Sequence, residues 1–422
     1  MDVAIVGGGW AGIAAAVYAT AAGHRVTLFE TAAQLGGRAR SVEIDGTVLD
    51  NGQHILIGAY RETLALMRQV GVDVDAVLRR LPLRLVGPDG RGLRLPPGPA
   101  AAAFVAAVLR HRGWTWPERL GLLRHAAGWL RAGFDTEGSR TVEQLCARMP
   151  QRVRDELIAP LCVAALNTPS DQASARVFLR VLRDALYSGA GAADLLLPRV
   201  PLGAALPEPA RDWLHRHGAT LRLGQRVQSL RPGAGEGWQV EEQPFDAVVL
   251  ACTAPEAARL SAAVAPQWSA CARAFEYQPI VTVYLDSPGT RLAEPMIALR
   301  DGPDAPAQYL FDHGALGGRD GLYAAVISGA RVWVERGLAA TAVATRRQLL
   351  SAFAPDCWRT PPTVRRVLAE KRATFACTPA LQRPPAQLAP GLHAAGDYID
   401  GPYPATLEGA VRSARVAVQA LG

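Results

Sequence analysis

A glycine-rich turn near the amino terminus constrains the fold of this chain more than any other feature. Residues 3–6 are an apolar, largely β-branched run that predicts a strand buried on both faces, and residues 7–12 read Gly-Gly-Gly-Trp-Ala-Gly. The pattern G-x-G-x-x-G permits a tight turn, a close backbone approach to a pyrophosphate and close helix–strand packing. An alanine-rich helical stretch follows over 12–22, so its free N–H groups would face the phosphates.

The second strand supports the same interpretation. Residues 25–29 form another β run, which ends at Glu30. An acid there can accept hydrogen bonds from both ribose hydroxyls of an adenosine and would repel a 2′-phosphate, which disfavours NADP. Strand, turn, helix, strand and acid occur in this order within 30 residues. This context favours a dinucleotide site over a glycine-rich turn in an unrelated α/β unit.

Composition sets the broad class of the protein. The 422 residues are 49% hydrophobic and 20% charged, which excludes a disordered or fibrous chain and predicts two or three domains. The net charge is +7, but Lys371 is the single lysine among 45 basic residues. So complete a bias toward arginine indicates a GC-rich bacterial genome rather than nucleic-acid binding, and we expect no nucleic-acid partner.

The cysteines and apolar runs bear on the compartment. None of the six cysteines forms a CxxC pair, which argues against a zinc site or a redox dithiol and fits a reducing compartment. Residues 13–22 are apolar but lack the basic segment that precedes a signal peptide. No uninterrupted apolar run is long enough to span a bilayer, so we expect a cytoplasmic location.

A second glycine pair follows Glu30 and distinguishes between cofactors. Gly36, Gly37 and Arg38 are followed by a predicted hairpin at residues 45–46, which read Asp-Gly. On this motif the chain resembles the flavin amine oxidase and phytoene desaturase superfamily. The resemblance implies FAD, with this loop lying along its pyrophosphate and ribityl chain and Arg38 paired with a phosphate. Without the glycines, Arg38 would equally fit a solvated loop.

The carboxyl-terminal residues resemble the same superfamily. A short apolar strand over 392–395 ends at Gly396 and Asp397, and a helix is predicted to begin near Thr406. The resemblance implies that Asp397 binds the ribityl hydroxyls, that the last helix points its N-terminus at the flavin, and that the backbone at Val227 holds the adenine. No cysteine follows Cys377, so we expect non-covalent FAD, unlike the covalent flavin of the monoamine oxidases.

The resemblance implies an α/β fold with two interleaved domains. An FAD-binding Rossmann-like domain of the glutathione reductase type would comprise 1–55, 200–260 and 388–422. An α+β substrate domain of the amine oxidase type would comprise 56–199 and 261–387, with β runs at 280–285, 308–311 and 322–327 forming a second sheet. The residues expected at the cofactor are Gly7, Gly9, Ala11, Gly12, Glu30, Gly36, Gly37, Arg38, Val227, Gly396, Asp397, Thr406 and Leu407.

Three longer stretches of sequence are more specific than the FAD motifs. Residues 50–54 (Asp-Asn-Gly-Gln-His), 370–375 and 404–413 resemble the squalene-associated branch of the superfamily, the hydroxysqualene dehydroxylases of bacterial hopanoid biosynthesis. This resemblance implies reductive removal of the hydroxyl of an allylic C30 isoprenoid alcohol. Acid-assisted loss of water would be followed by hydride transfer from the reduced flavin. The electron donor that reduces FAD is not identified by the sequence.

The implied reaction needs a proton donor in a dry cavity. His54 is the first candidate, Tyr403 the second and Lys371 the third. Each has a structural alternative: His54 fits a buried histidine bonded to backbone, Tyr403 a cavity wall, and Lys371 an accident of composition.

Residues 98–134 give an independent indication about partners. Trp114, Trp116 and Trp129 lie among five arginines, with Glu118 as the one acid, and apolar residues recur at helical spacing. Such amphipathic helices can lie in a membrane interface, and the alternative is a helical substrate domain whose apolar face is core. We expect a peripheral protein on the inner face of the cytoplasmic membrane.

Two other functions fit the same motifs. A carotenoid-type desaturase would use the fold to remove hydride instead of adding it. A prenyl-binding escort related to the GDP-dissociation inhibitors would use the fold without flavin chemistry, but the intact glycines, Glu30 and Asp397 argue against it.

Overall fold

The computed structural model describes residues 1–233, 235 and 237–421. The strands are β1 (Asp2–Val6), β2 (Arg25–Glu30), β3 (Ser41–Ile44), β4 (Thr47–Asp50), β5 (Leu56–Ile57), β6 (Leu78–Leu81), β7 (Arg84–Val86), β8 (Gly92–Arg94), β9 (Leu195–Pro198), β10 (Thr220–Leu223), β11 (Leu230–Pro232), β12 (Trp238–Val240), β13 (Gln243–Phe245), β14 (Ala247–Leu250), β15 (Tyr277–Asp286), β16 (Met296–Ala298), β17 (Tyr309–Asp312), β18 (Leu322–Ile327), β19 (Thr363–Phe375), β20 (Gln387–Ala389) and β21 (Leu392–Ala394).

The helices of the described residues lie between these strands or after the last of them. They are α1 (Trp10–Ala21), α2 (Arg61–Gln69), α3 (Val74–Val77), α4 (Ala100–Arg110), α5 (Trp116–Arg131), α6 (Val142–Leu145), α7 (Gln151–Val153), α8 (Ala159–Leu166), α9 (Ala175–Tyr187), α10 (Leu202–Ala205), α11 (Pro207–Arg216), α12 (Ala254–Ser261), α13 (Pro266–Arg273), α14 (Arg331–Arg336), α15 (Leu338–Ala352) and α16 (Leu407–Gln419). Helices α4 to α9 follow one another without a strand between them. A π-helical turn, Arg154–Ile158, joins α7 to α8.

The main sheet has six strands in the order β10-β2-β1-β14-β21-β20. The first five are mutually parallel, and β20 pairs antiparallel with β21. β1 and β14 are central and nearly fully buried, because helices cover both faces of a parallel sheet and favour continuous apolar runs. The predicted α/β fold with a parallel sheet is confirmed.

The sheet draws its strands from three distant parts of the chain, residues 2–30, 220–250 and 387–394. Helices α1 and α16, from the two ends of the sequence, pack against each other in one apolar cluster with β1 and β2. The structure therefore brings the first and last elements of the chain together. The exact domain boundaries given above remain a prediction.

A second sheet is antiparallel, in the order β16-β17-β18-β15-β19. Its strands β15, β17 and β18 overlap the three β runs predicted from the sequence. One face packs against α14 and α15, and the other packs against the β3–β4 hairpin and β9. Helices α4, α5, α8 and α9 form a further layer with a shared apolar interior. Within the described residues, no helix is both long and apolar enough to cross a membrane.

The turn after β1 is the tightest packed part of the fold. Gly7 has a φ of +112°, which favours glycine, and a Cβ on Gly12 would lie 1.8 Å from the Gly7 carbonyl oxygen. We therefore expect Gly12→Ala to force β1 and α1 apart and to lower the free energy of unfolding by about 3 kcal/mol, the upper end for overpacking. Chemical denaturation of the purified variant measures this loss.

A matched control lies on an exposed helix. A Cβ on Gly128, within α5, would meet no atom within 4 Å. Gly128→Ala should stabilise the protein by about 0.5–1 kcal/mol, because alanine has the higher helix propensity. Equal effects of the two substitutions would contradict the packing role of Gly12.

Candidate active site

One continuous cavity of about 980 Å³ runs between the main sheet and the helical layer. Its polar end lies at the carboxyl ends of the parallel strands, where ligands bind in open α/β sheets. Its other end lies among apolar side chains of α4, α5, α8 and α9. The cavity lining includes every expected cofactor residue except Gly12: Gly7, Gly9, Ala11, Glu30, Gly36, Gly37, Arg38, Val227, Gly396, Asp397, Thr406 and Leu407.

Two glycine segments form the backbone wall at the polar end. The Gly36 N–H donates to the Gly8 carbonyl over 2.8 Å, and a Cβ on Gly37 would lie 2.9 Å from the Gly9 Cα. This close contact leaves no room for larger residues. Gly9 caps α1 without a side-chain acceptor, and the first turn of that helix carries no acid. The N–H groups at the start of α1 are thus available for a phosphate.

Glu30 is held by backbone at the end of β2. One carboxylate oxygen accepts from the Gly8 N–H over 2.6 Å and the other from the Ala32 N–H over 2.7 Å. Each oxygen keeps a lone pair free. The side chain lines the cavity, so it fits an acceptor for ribose hydroxyls.

Arg38 makes contacts that the sequence did not predict. Its guanidinium pairs with Asp397 over 2.7 Å and donates to the Ala373 carbonyl over 2.7 Å. Burial acts to lower the pKa of Arg38, but the charge and hydrogen bond of Asp397, together with the nearby Tyr277 and Glu370, raise the pKa above its usual value. Two residues expected at adjacent parts of the cofactor, its phosphate and its ribityl chain, therefore contact each other directly.

The loop between β21 and α16 is organised by a residue that the sequence analysis missed. Arg383 is mostly buried, stacks on the Phe375 ring at 5.0 Å, and burial lowers its pKa. Nothing in its Arg-Pro-Pro sequence marked it as special. Its guanidinium donates to backbone carbonyls of Asp397, Tyr398, Ile399, Gly401 and Tyr403.

The start of α16 lies at the same end of the cavity. Thr406 caps the helix by accepting from the Gly409 N–H over 3.0 Å, and Thr406 and Leu407 line the cavity. Glu408 points away and is fully buried, where it accepts from the Thr63 N–H over 2.9 Å and pairs with Arg412. Glu408 thereby fastens α16 to α2, while the first turn of α16 presents its positive end to the cavity.

These groups fit FAD. The unpartnered N–H groups of α1 suit a pyrophosphate, Glu30 suits a ribose, and Arg38 and Asp397 offer charged donors and acceptors farther along. Gly7 and Gly37 have no space for a Cβ, so no side chain projects from these positions. The cavity continues beyond these groups among apolar side chains.

His54 lines the cavity next to the β4 end of the hairpin. Its Nδ1 lies 2.9 Å from the Gly52 carbonyl oxygen, which can only accept, so Nδ1 carries the proton. In the neutral ring Nε2 is therefore an acceptor. Burial lowers the pKa of His54, and Arg38 lowers it further, so proton donation requires the less stable imidazolium.

Tyr403 also lines the cavity, but its proton is engaged. The hydroxyl donates to Asp184 over 2.7 Å, and the ring lies between the guanidinium groups of Arg180 and Arg412. Burial raises the pKa of Tyr403, and Asp184 adds to the effect. The pair Arg180 and Asp184, spaced i, i+4 on α9, was a readable signal that the sequence analysis missed.

The structure corrects the expectation for Lys371. Its side chain is exposed on β19, while its neighbours Glu370 and Arg372 line the cavity. Lys371 therefore does not reach a molecule bound there. Asn167 was also missed: it ends α8 in a left-handed conformation, lines the cavity, and bonds to Thr374, Gln278 and Gly329.

The rest of the cavity is apolar. Side chains from four helices and from the β7–β8 hairpin line it, and these include Leu83, Leu85, Leu93, Phe104, Leu122, Leu123, Trp129, Phe134, Leu157, Ile158, Leu161, Leu182 and Leu186. Such a lining excludes water and fits a hydrocarbon.

Comparison with known proteins agrees with this geometry. The family model for flavin containing amine oxidoreductase matches residues 10–422. The chain belongs to this family. It is 29% identical to a hydroxysqualene dehydroxylase of Rhodopseudomonas palustris, over 97% of this chain and 96% of that protein. It is 26% identical to a probable zeta-carotene desaturase of Synechococcus elongatus, over 68% of this chain and 66% of that protein.

The fold has solved counterparts. The crystal structure of an oxidoreductase from Methanosarcina mazei superposes with a TM-score of 0.74 at 14% identity, over 99% of this chain and 100% of that one. The predicted resemblance to the flavin amine oxidase superfamily and its squalene-associated branch is confirmed. The protein is an FAD-dependent oxidoreductase.

Glu30 gives a direct test of the cofactor site. Glu30→Gln places an amide NH₂ against the Gly8 or Ala32 N–H and removes a charged acceptor. We expect FAD affinity to fall about 10–100-fold, the range for a lost charge-assisted hydrogen bond. Titration of the apoprotein with FAD, followed by protein fluorescence, measures the change. Glu43→Gln, at an exposed position on β3, is the control and should bind FAD normally.

His54 predicts a distinct pH dependence. Because burial depresses its pKa, the imidazolium fraction grows as pH falls through a value below the usual 6.5. If His54 donates the proton, the single-turnover rate of reduced enzyme with its substrate should rise as pH falls. His54→Gln should flatten that profile while retaining bound FAD. A profile unchanged by the substitution would remove His54 from this role.

Proposed function

We propose that this enzyme removes the hydroxyl of hydroxysqualene reductively to give squalene, in bacterial squalene and hopanoid biosynthesis. One observation carries the proposal: a single cavity joins the FAD-binding groups to a long apolar lining. The similarity to hydroxysqualene dehydroxylases over nearly the whole chain supports the choice among isoprenoid alcohols.

The reaction replaces a C–O bond with a C–H bond. It consumes one hydride and one proton and releases water, so the site needs a hydride source, a proton donor and exclusion of bulk solvent. Reduced FAD supplies the hydride when it is bound. The apolar lining keeps water from the reacting carbon and holds the hydrocarbon chain.

A side chain of the protein must supply the proton. We assign it to His54 in its imidazolium form, because His54 lines the cavity and its Nε2 donates to no partner among the residues that the structure describes. The Tyr403 hydroxyl donates its proton in a hydrogen bond to Asp184. We assign Tyr403 a role in orienting the substrate at the cavity wall. Loss of the hydroxyl from an allylic carbon is assisted by protonation of the leaving oxygen.

A carotenoid-type desaturase is the second candidate. The partial similarity to a probable zeta-carotene desaturase favours it, and the same cavity would hold a longer polyene. Desaturation removes a hydride and a proton, so it requires oxidised FAD and a base instead of an acid. The neutral His54, with Nε2 as an acceptor, would suit that direction. A non-catalytic escort is disfavoured by the intact cofactor groups.

Three further features belong to the proposal. FAD is held without a covalent bond, since no cysteine follows Cys377. The enzyme works in the cytoplasm as a peripheral protein on the inner face of the membrane, where a C30 isoprenoid is dissolved. A separate electron donor, of a class that the site does not identify, reduces FAD between turnovers.

A single-turnover experiment tests the reaction. Purified holoenzyme is reduced without oxygen and mixed with detergent-dispersed hydroxysqualene. We expect flavin reoxidation at a rate that depends on substrate, with squalene formed in an amount equal to the reduced flavin, as measured by mass spectrometry. If hydroxysqualene leaves the flavin reduced, while oxidised enzyme converts a carotenoid precursor, the desaturase proposal replaces this one.

A further inference from the structure

Helices α4 and α5 present an unpartnered apolar surface to solvent. On α4, Val105 and Leu109 are 42% and 38% exposed. On α5, Trp116, Leu120 and Leu130 are 61%, 57% and 50% exposed, and their spacing of four and ten residues keeps them near one face of the helix. Large apolar side chains gathered in this way mark an interaction site rather than ordinary surface.

The cavity opens at the same surface. Val105, Leu130 and Tyr187 line the cavity and are also 42%, 50% and 47% exposed. These residues place an opening of the cavity, here called the mouth, between α4, α5 and the end of α9, and the rim of this opening is apolar. Thr31 and Arg372, at the polar end, are also exposed and line the cavity.

Basic side chains surround this surface. Arg110, Arg112, Arg124 and Arg131 are exposed on α4, α5 and their connection, and none forms an ion pair within the described residues. The nearby acid Glu118 is engaged in capping α5, where it accepts from the Thr115 N–H over 2.7 Å. The surface thus combines apolar residues with uncompensated positive charge.

Trp116 is placed as an interfacial anchor. It starts α5, its ring is mostly exposed, and the Arg119 guanidinium lies 4.8 Å from its centroid. Arg119 is itself fixed by donating to the Trp114 and Leu109 carbonyls. A tryptophan beside arginine is the side-chain combination favoured at the boundary between headgroups and acyl chains.

We propose that the outer face of α4 and α5 docks on a bilayer containing anionic lipid, so that the mouth meets the acyl-chain region and the hydrocarbon substrate enters without crossing water. The substrate part of this inference rests on the proposed function. The docking surface follows from the exposed apolar face and the uncompensated arginines.

A second copy of the chain is the alternative occupant. In a two-fold dimer the same face would pack on itself and bring the four arginines of each protomer toward those of its partner. Glu118, the one acid within residues 98–134, is engaged in capping α5. An anionic bilayer would bury the apolar side chains and would also neutralise the arginines.

The test uses a variant outside the cavity lining. Trp116→Ser with Leu120→Ser removes two exposed apolar groups that do not line the cavity, and Val343→Ser with Leu350→Ser removes two from α15, on a different part of the surface. Holoenzyme of each is sedimented with vesicles of phosphatidylcholine, with or without phosphatidylglycerol. The wild type and the α15 variant should bind the anionic vesicles, and the α5 variant should bind about tenfold less or weaker still.

Activity measurements on the same proteins distinguish a failure of the docking surface from a failure of the proposed reaction. The α5 variant should turn over detergent-dispersed hydroxysqualene at the wild-type rate and vesicle-embedded hydroxysqualene much more slowly. Equal vesicle binding by all three proteins would overturn the docking surface. So would a wild-type dimer that the α5 substitutions dissociate in sedimentation analysis. If no protein converts hydroxysqualene but vesicle binding follows the expected order, the reaction is wrong and the docking surface stands.

Discussion

Strand β14 hydrogen-bonds to β1 on one side and to β21 on the other, with all three parallel. Parallel neighbours end at the same edge of a sheet, so the turn at Gly7 and the acid Asp397 line the same end of the cavity although they are separated by most of the chain. Helix α16 then packs on α1 and covers one face of the sheet beside that edge. The residues expected at the cofactor are brought to the polar end of the cavity by this pairing.

The second sheet and the helical layer convert that edge into an enclosed site. Arg383 fixes the carbonyls of the loop between β21 and α16, so Asp397 and Tyr403 are set by one guanidinium. Glu408 fastens the following helix to α2. These are buried polar contacts, each satisfied, and such networks specify a single arrangement more strongly than apolar packing does.

The amino-terminal part of the candidate cofactor site could be predicted because its residues lie close together in the sequence. The glycine turn directly follows β1, Glu30 ends β2, and the Gly36–Gly37 pair lies in the loop after β2. Backbone constraints dictate the glycines. Contacts between distant segments were not predictable. The pairing of Arg38 with Asp397 and the role of Arg383 require knowledge of which loops meet. Lys371 was proposed because it is the single lysine, and composition does not say which face of β19 borders the cavity.

The continuity of the cavity has a consequence for exchange of reactant and product. If the mouth between α4, α5 and α9 opens into lipid, a departing hydrocarbon is replaced by another or by an acyl chain instead of by water. The interior then stays dry through the whole cycle. The free-energy cost of filling an apolar cavity with water and emptying it again would then be avoided. The slow step of exchange would be lateral diffusion within the bilayer.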